Sequence, residues 1–316
     1  MLEILRELCT LDAVSGDEAA VRDYIINKIK NHCEYKIDPL GSIIAFKKGK
    51  KTPAKKVMLD AHMDEVGLII TYITDDGFLK FSAVGGIDTS VLMFRRVKVN
   101  GINGVISGKP IHLISADERK KLPDPHSLYI DIGASSKEEA LKLVSPGDRA
   151  VICGEYTDAG DRIKSKALDD RIGCAVLISM LLKEAEYDFY AVFSVQEEVG
   201  LRGAKAAAYT VAPDAAIVLE GTTAADIAGV EPSRRVCVLG GGPAVSFMDR
   251  ATVYDKAYYN AALKSGITCQ PKAAVAGGNN SGAVHTSRGG VRTLAISVPC
   301  RYIHSPASVA DKCDIE

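Results

Sequence analysis

SVQEEVGLRGA, Ser194 to Ala204, follows without a break on the apolar run FYAVF, Phe189 to Phe193. The run reads as a buried strand, and the stretch after it sets two carboxylates, Glu197 and Glu198, side by side. Neighbours on a regular strand point to opposite faces, so adjacent glutamates can serve one place only where the strand has ended and the backbone is turning. Val199-Gly200 suits such a turn. A buried strand that delivers acidic groups at its carboxyl end belongs to an open α/β sheet, whose ligands gather in the crevice outside the strand ends.

Other segments repeat the pattern. VMLDA (Val57 to Ala61) is followed by His62 and Asp64, AAIVL (Ala215 to Leu219) ends at Glu220, and TLAISV (Thr293 to Val298) precedes His304 by a few residues. LDDRIGCAVLISMLLKEA, Leu168 to Ala185, predicts an apolar helix whose start is marked by Asp169 and Asp170. Ser15 with Glu18 makes a capping box ahead of an amphipathic helix over residues 17–31, and a further helix is predicted near Asp255 to Lys264, stopped by Gly266.

Between these α/β segments the texture changes. GLIITYI, FLKFSAV, RRVKV and LYIDI are β-branched or aromatic runs separated by the turn signals Asp76-Gly77, Asn100-Gly101 and Asn103-Gly104. The expected fold class is therefore α/β, a mixed sheet flanked by helices, with a small all-β domain inserted. The expected boundaries give residues 1–65 and 158–316 to the catalytic α/β domain and residues 66–157 to a barrel-like insertion.

Composition narrows the function classes. The chain has 316 residues, about half of them hydrophobic, and a formal net charge of -1, so nothing in it seeks a nucleic acid or an anionic membrane. The opening MLEILRELCTLDAVSG lacks the basic start and unbroken apolar core of a secretory signal, and no run is long and apolar enough to span a bilayer. The eight cysteines are scattered without a CxxC pair, which points to a reducing cytoplasm rather than a disulfide framework.

The chemistry follows from what meets at the strand ends. Crowded carboxylates repel and raise one another's pKa unless positive charge lies between them. Imidazole and carboxylate without thiolate suit zinc, cobalt or manganese, and the number of acidic groups suits two ions sharing a bridging carboxylate, about 3.5–4 Å apart. One of the paired glutamates can then hold a metal while the other takes a proton from water. Singly, each residue has a plainer reading: a histidine after a strand is more often just hydrogen-bonded, a Glu-Glu pair is usually solvated, and Asp169-Asp170 resembles a helix cap. Their shared position at one edge of the sheet favours the joint reading.

Weaker signals remain. LGGGPAVS (Leu239 to Ser246) lacks the GK[ST] of a phosphate loop and reads as a turn with close backbone packing. AGGNNSGAVHTSRGG (Ala276 to Gly290) offers Gly278, Asn279, Asn280 and His285 as candidate substrate-binding residues. Ser194 has no triad around it.

LDAHMDEVG, KALDDRIG, SVQEEVGLRGA and SVPCRYIHSP, in this order around a β insertion, resemble the M42 family of dinuclear metallo-aminopeptidases, the glutamyl or deblocking aminopeptidases, some of whose members bear cellulase or endoglucanase names. The resemblance implies that His62 and Glu220 hold one metal, Glu198 and His304 the other, and that Asp169 bridges them. It implies Glu197 as general base and Asp64 as the carboxylate orienting His62. It further implies hydrolysis of N-terminal residues from peptides, and assembly through the insertion into homo-oligomers, dimers building a dodecamer.

Three departures stand out. The family usually has Asp at the position of Glu220 and Thr-Asp at that of Asn279-Asn280, and it tends to close with a helix beyond the RYIHSP segment, where this chain stops at Glu316. The departures at Glu220 and Asn279-Asn280 motivate one rival, a catalytically impaired scaffold of the same fold. The other rival is a glycoside hydrolase, which paired carboxylates would allow, although the chain has no Trp to stack on a sugar.

Overall fold

The computed structural model describes residues 1–275 and 277–316, apart from the side chains of Ile111 and Arg119. Helices α1 (Leu2–Thr10) and α2 (Ala19–Ile29) lead into strands β1 (Glu34–Ile37), β2 (Ile43–Lys47) and β3 (Val57–His62). A block of short strands follows: β4 (Gly67–Ile73), β5 (Leu79–Val84), β6 (Arg96–Val99), β7 (Ile102–Ser107) and β8 (Tyr129–Asp131), then α3 (Lys137–Leu141) and β9 (Arg149–Ile152). The chain returns through β10 (Thr157–Ala159), β11 (Arg162–Ser165), α4 (Leu168–Leu181), β12 (Phe189–Ser194), α5 (Arg202–Val211) and β13 (Ala215–Thr223). It ends with β14 (Ala244–Val245), α6 (Lys256–Leu263), β15 (Gln270–Pro271), α7 (Ser281–Val284), β16 (Arg292–Arg301), β17 (Ser308–Asp311) and α8 (Lys312–Ile315).

The main sheet runs β1-β2-β12-β3-β13-β16-β17-β11-β10, and its central strands β12, β3, β13 and β16 are mutually parallel. That parallel core puts their carboxyl ends on one edge. Side chains alternate across β12: Ala191 and Phe193 pack with α1, α2 and α4 on one face, while Val192 packs with Ala204, Ala207 and Ala208 of α5 on the other. Each large side chain so buried contributes about 1.5–3 kcal/mol. Beneath the site edge, fully buried Arg171 of α4 donates to the Leu8 carbonyl at 2.7 Å and pairs with Glu65 at 3.2 Å; Glu65 also takes Lys166 at 2.6 Å. This network ties α1 to the loop after β3.

The inserted block closes on itself as a barrel, β4-β5-β8-β7-β6-β9, around its own core of Leu68, Ile70, Phe81, Val97, Ile106 and Ile130. Among the described residues no helix is long and apolar enough to cross a membrane.

Several local expectations are corrected. The Ser15 and Glu18 pair does not cap α2: the Ser15 hydroxyl donates to Asp64 at 2.6 Å, and the Glu18 carboxylate accepts from the backbone of Gly16 and Gln196. Buried polar groups near the site claim both side chains. Asn100-Gly101 is the hairpin turn, with φ 50° and 79°, whereas Asn103-Gly104 lies inside β7. Gly104 is there for space, since a Cβ would come within 2.9 Å of Ile130 and 3.0 Å of the Asp131 carbonyl. The expected helix over residues 168–185 ends at Leu181 and starts irregularly: Asp169 and Asp170 have non-helical backbone, Asp169 faces the site, and Asp170 caps the regular helix by accepting the Gly173 N–H at 2.9 Å. Strand β13 does not stop at Leu219; parallel pairing with β16 carries it through Glu220 to Thr223. Glycines 240 and 242 hold a tight turn whose N–H groups donate to Asp314 at 2.8 and 2.7 Å, in keeping with close backbone packing there.

Candidate metal centre and catalytic cleft

Strand β12 ends at Ser194, and Gln196 then takes a left-handed φ of 56°, so Glu197 and Glu198 leave the sheet on a turn. Asp64 fixes that turn: its oxygens accept the backbone N–H of Glu197 at 3.0 Å and of Glu198 at 3.1 Å. Asp64 is fully buried; burial alone would raise its carboxyl, but His62, the Ser15 hydroxyl and these N–H donors hold it below the usual range. The carbonyl oxygen of Asp64 lies 3.0 Å from His62 Nδ1 and its carboxylate 3.4 Å away, which orients the ring with Nε2 facing outward from this contact.

His62 Nε2 meets Asp169 Oδ1 at 3.4 Å and Glu220 Oε1 at 3.2 Å. His304 Nε2 meets the other oxygen of Asp169 at 3.5 Å and Glu198 Oε1 at 3.3 Å. Two donor triads therefore form, His62 with Asp169 and Glu220, and Asp169 with Glu198 and His304, and Asp169 is common to both. Glu197 stands in a third grouping with His62 and Glu198. Sequence reasoning missed the barrel's part: the loop after β5 brings the Gly86 carbonyl 2.8 Å from His304 Nδ1, which sets the proton there and leaves Nε2 for the carboxylates.

The donor set fits divalent metal. Among the described residues His62 Nε2 and Glu220 Oε2 are buried without a hydrogen-bond partner, an expensive state unless a cation completes them. Burial and the Asp169 charge push the Glu220 carboxyl well above its usual value, and burial together with Glu198, Asp169 and Asp64 pushes Glu197 up to about 8 against the pull of His62. Burial would lower the His304 imidazole, yet Asp169 and Glu198 push it up to about 11. Conversely, burial would raise Asp169, but His304 and His62 hold it well below the carboxylate range. The cluster thus demands positive charge, which divalent cations supply.

Asp169 approaches Gly221 of β13 so closely that a Cβ there would lie 3.0 Å from the Asp169 Cβ and 3.1 Å from its Oδ1. Gly221→Ala is expected to push Asp169 aside and lower metal affinity and kcat/KM about 10- to 100-fold. Metal content and steady-state kinetics, beside a melting curve that shows the fold kept, check this; an alanine variant with native metal content would contradict the packing argument.

Asp169, Glu197, Glu198, Glu220 and His304 open onto a cleft of about 220 Å³, lined also by Thr222, Val236, Lys272, Gly277, Gly278 and Asn279. Of the glycine-rich stretch, Gly277, Gly278 and Asn279 line the cleft, and Ala276 lies outside the described residues. Asn280 is elsewhere: fully buried, it donates to Asp60 at 2.7 Å and to Ser194 at 2.8 Å, filling a polar pocket within the fold. His285 turns back onto its own short helix, Nδ1 lying 2.8 Å from the Ser281 carbonyl, and is not part of the cleft wall.

The profile of the family described as M42 glutamyl aminopeptidase matches residues 41–316. The chain belongs to the M42 family. It is 43% identical over 322 residues to a putative aminopeptidase of Acetivibrio thermocellus, covering 100% of this chain and 95% of that one. Aminopeptidase APDkam598 of the archaeon Desulfurococcus kamchatkensis superposes with a TM-score of 0.93 at 37% identity, over 99% of this chain and 90% of that one. The TET1 peptidase of Pyrococcus horikoshii, described as assembling into a tetrahedron or a large octahedral shell, matches with a TM-score of 0.87 at 35% identity, over 99% and 95% of the two chains. The M42 chain is a metal-dependent aminopeptidase, a hydrolase of peptide bonds; the glycosidase and idle-scaffold readings are not favoured.

Proposed function

We propose that this aminopeptidase uses two divalent ions, zinc or cobalt, with manganese as the next candidate. In this reading Asp169 bridges them, His62 and Glu220 hold the first, and Glu198 and His304 hold the second. The observation that carries it is the sharing of Asp169 between the two donor triads. Glu220, one methylene longer than the aspartate usual in the family, still reaches within 3.2 Å of His62 Nε2.

When bound, such a pair supplies an acidified water and polarises the scissile carbonyl. Glu197 accepts a proton from the attacking water and delivers it to the amine nitrogen as the C–N bond breaks. Its freedom supports this role, since among the described residues its carboxylate has no hydrogen-bond or ion-pair partner. Asp64 holds the Glu197-Glu198 turn and the His62 ring in one geometry. Gly278 and Asn279 line the place of the substrate's first residue.

The insertion, residues 66–157, serves in this reading as the surface through which subunits pair. Its closed barrel and the exposed Phe94, Leu113 and Leu122 support this, as does the shell-forming Pyrococcus horikoshii relative. A cytoplasmic setting accords with cysteines that are all free.

Metal analysis of protein purified without added ions, followed by chelator treatment and titration back, tests the metal reading. Two equivalents per chain are expected to restore hydrolysis of an aminoacyl-nitroanilide; full activity at one equivalent would overturn the bridged pair. Light scattering of the same sample reads the assembly.

A further inference from the structure

Glu197 moves the proton in the reading above, yet among the described residues nothing holds its carboxylate, so its backbone has to place it. Gln196, just ahead of it, takes a left-handed φ of 56°, which a residue with a side chain keeps only where its neighbours hold it. Three consecutive N–H groups there meet buried acids. Glu18 Oε1 accepts from Gln196 at 3.1 Å, and Asp64 accepts from Glu197 at 3.0 Å and from Glu198 at 3.1 Å. The Glu197 carbonyl closes the turn by accepting the N–H groups of Gly200 and Leu201, each at 2.9 Å.

Asp64 also orients His62, whereas Glu18 has no second duty at the site. It is 5% exposed, and the oxygen that takes Gln196 also takes the Gly16 N–H at 2.7 Å. Among the described residues it forms no ion pair. Burial raises its carboxyl and the Gly16 N–H draws it down, while the Asp64 charge raises it again. A carboxylate taken from water without a cation is costly. What the fold gains from this one is a fixed acceptor at the end of β12. The anchor is rigid, because Glu18 directly precedes α2: its carbonyl accepts the Arg22 N–H at 2.9 Å, and Val21, Ile25 and Ile29 are fully buried in the core that also holds Phe193.

We infer that Glu18 is a positioning residue for the general base: by accepting the Gln196 N–H it fixes the left-handed residue ahead of Glu197 and so aims the Glu197 carboxylate into the cleft. The inference rests on the reading of Glu197 as base and deepens it. Reach matters here more than charge, because a single oxygen of Glu18 takes both N–H groups. Glutamine keeps that oxygen in place. Aspartate keeps the charge and draws the oxygen back by one methylene, and misplacing a reacting group by ~1 Å costs up to ~10²-fold in rate.

The test measures kcat and KM of metal-loaded wild type, Glu18→Gln, Glu18→Asp and Glu18→Ala on whichever of Leu-, Lys- and Glu-p-nitroanilide wild type cleaves fastest, with metal content and a melting curve for each. Glu18→Asp and Glu18→Ala are expected to lower kcat about 10- to 100-fold while KM and metal content change little. Glu18→Gln is expected to stay close to wild type. Placed on Glu197→Gln, the same Glu18→Asp change should cost little more, since a base already lost cannot be misaimed. Effects that multiply in full in that double variant overturn the inference. So do native kcat in Glu18→Asp, a defect carried by KM or by lost metal, and a Glu18→Gln no better than Glu18→Asp. If Glu18→Ala does not fold, the contrast between glutamine and aspartate still decides. The two readings fail separately. Glu197→Gln with native kcat ends the general-base reading and this inference with it, whereas loss of kcat in Glu197→Gln beside native kcat in Glu18→Asp ends this inference alone.

Discussion

Asp169→Ala is expected to empty both metal positions and lower kcat/KM on the order of 10³-fold or more, since the stabilisation that bound metal supplies amounts to several kcal/mol. The geometry concentrates this effect in one residue. Each Asp169 oxygen faces a different histidine, Oδ1 toward His62 at 3.4 Å and Oδ2 toward His304 at 3.5 Å, so no other single substitution removes a donor from both triads. Metal stoichiometry after dialysis is the decisive measurement. A variant that keeps two equivalents would end the bridging role, whatever its activity. A melting curve in the presence of excess metal separates loss of binding from loss of fold, because among the described residues Asp169 accepts, besides its site neighbours, only a 3.3 Å contact from the Gly221 backbone.

Glu197→Gln is expected to act in the opposite way, retaining metal while kcat falls about 10²- to 10⁴-fold, the range for loss of a positioned general base. Glutamine keeps the shape of the side chain and removes its capacity to take a proton. KM should move little. The alternative is concrete, because Glu197 also stands within reach of His62 and Glu198 in a possible donor grouping. Loss of a metal equivalent in the variant would reassign Glu197 as a ligand and leave the reaction in need of another base.

Much of this site is legible in the sequence, and the reason is local. A strand of apolar residues announces its own burial, and the polar residue after it is thereby placed at an edge. Where the strands are parallel, as β12, β3, β13 and β16 are, those edges coincide, so His62, Glu197, Glu198, Glu220 and His304 could be grouped from their positions after apolar runs. The barrel is legible for a similar reason, through β-branched or aromatic runs and the turn pairs between them. Capping was misread at Ser15 because Asp64, forty-nine residues on, competes for the hydroxyl. The contact of Asn280 with Asp60 is not legible, because only the folded chain brings the two together.

By itself, then, the amino-acid sequence determined the α/β class, the interrupting β block and the kinds of side chain that meet at the strand ends, because apolar periodicity and turn chemistry act over a few residues. Tertiary structure alone decided how the groups face one another. It split the Asp169 oxygens between two histidines and set the ring of His304 with a carbonyl from the barrel. Those outcomes depend on distances between segments far apart along the chain, which packing fixes and local pattern does not encode.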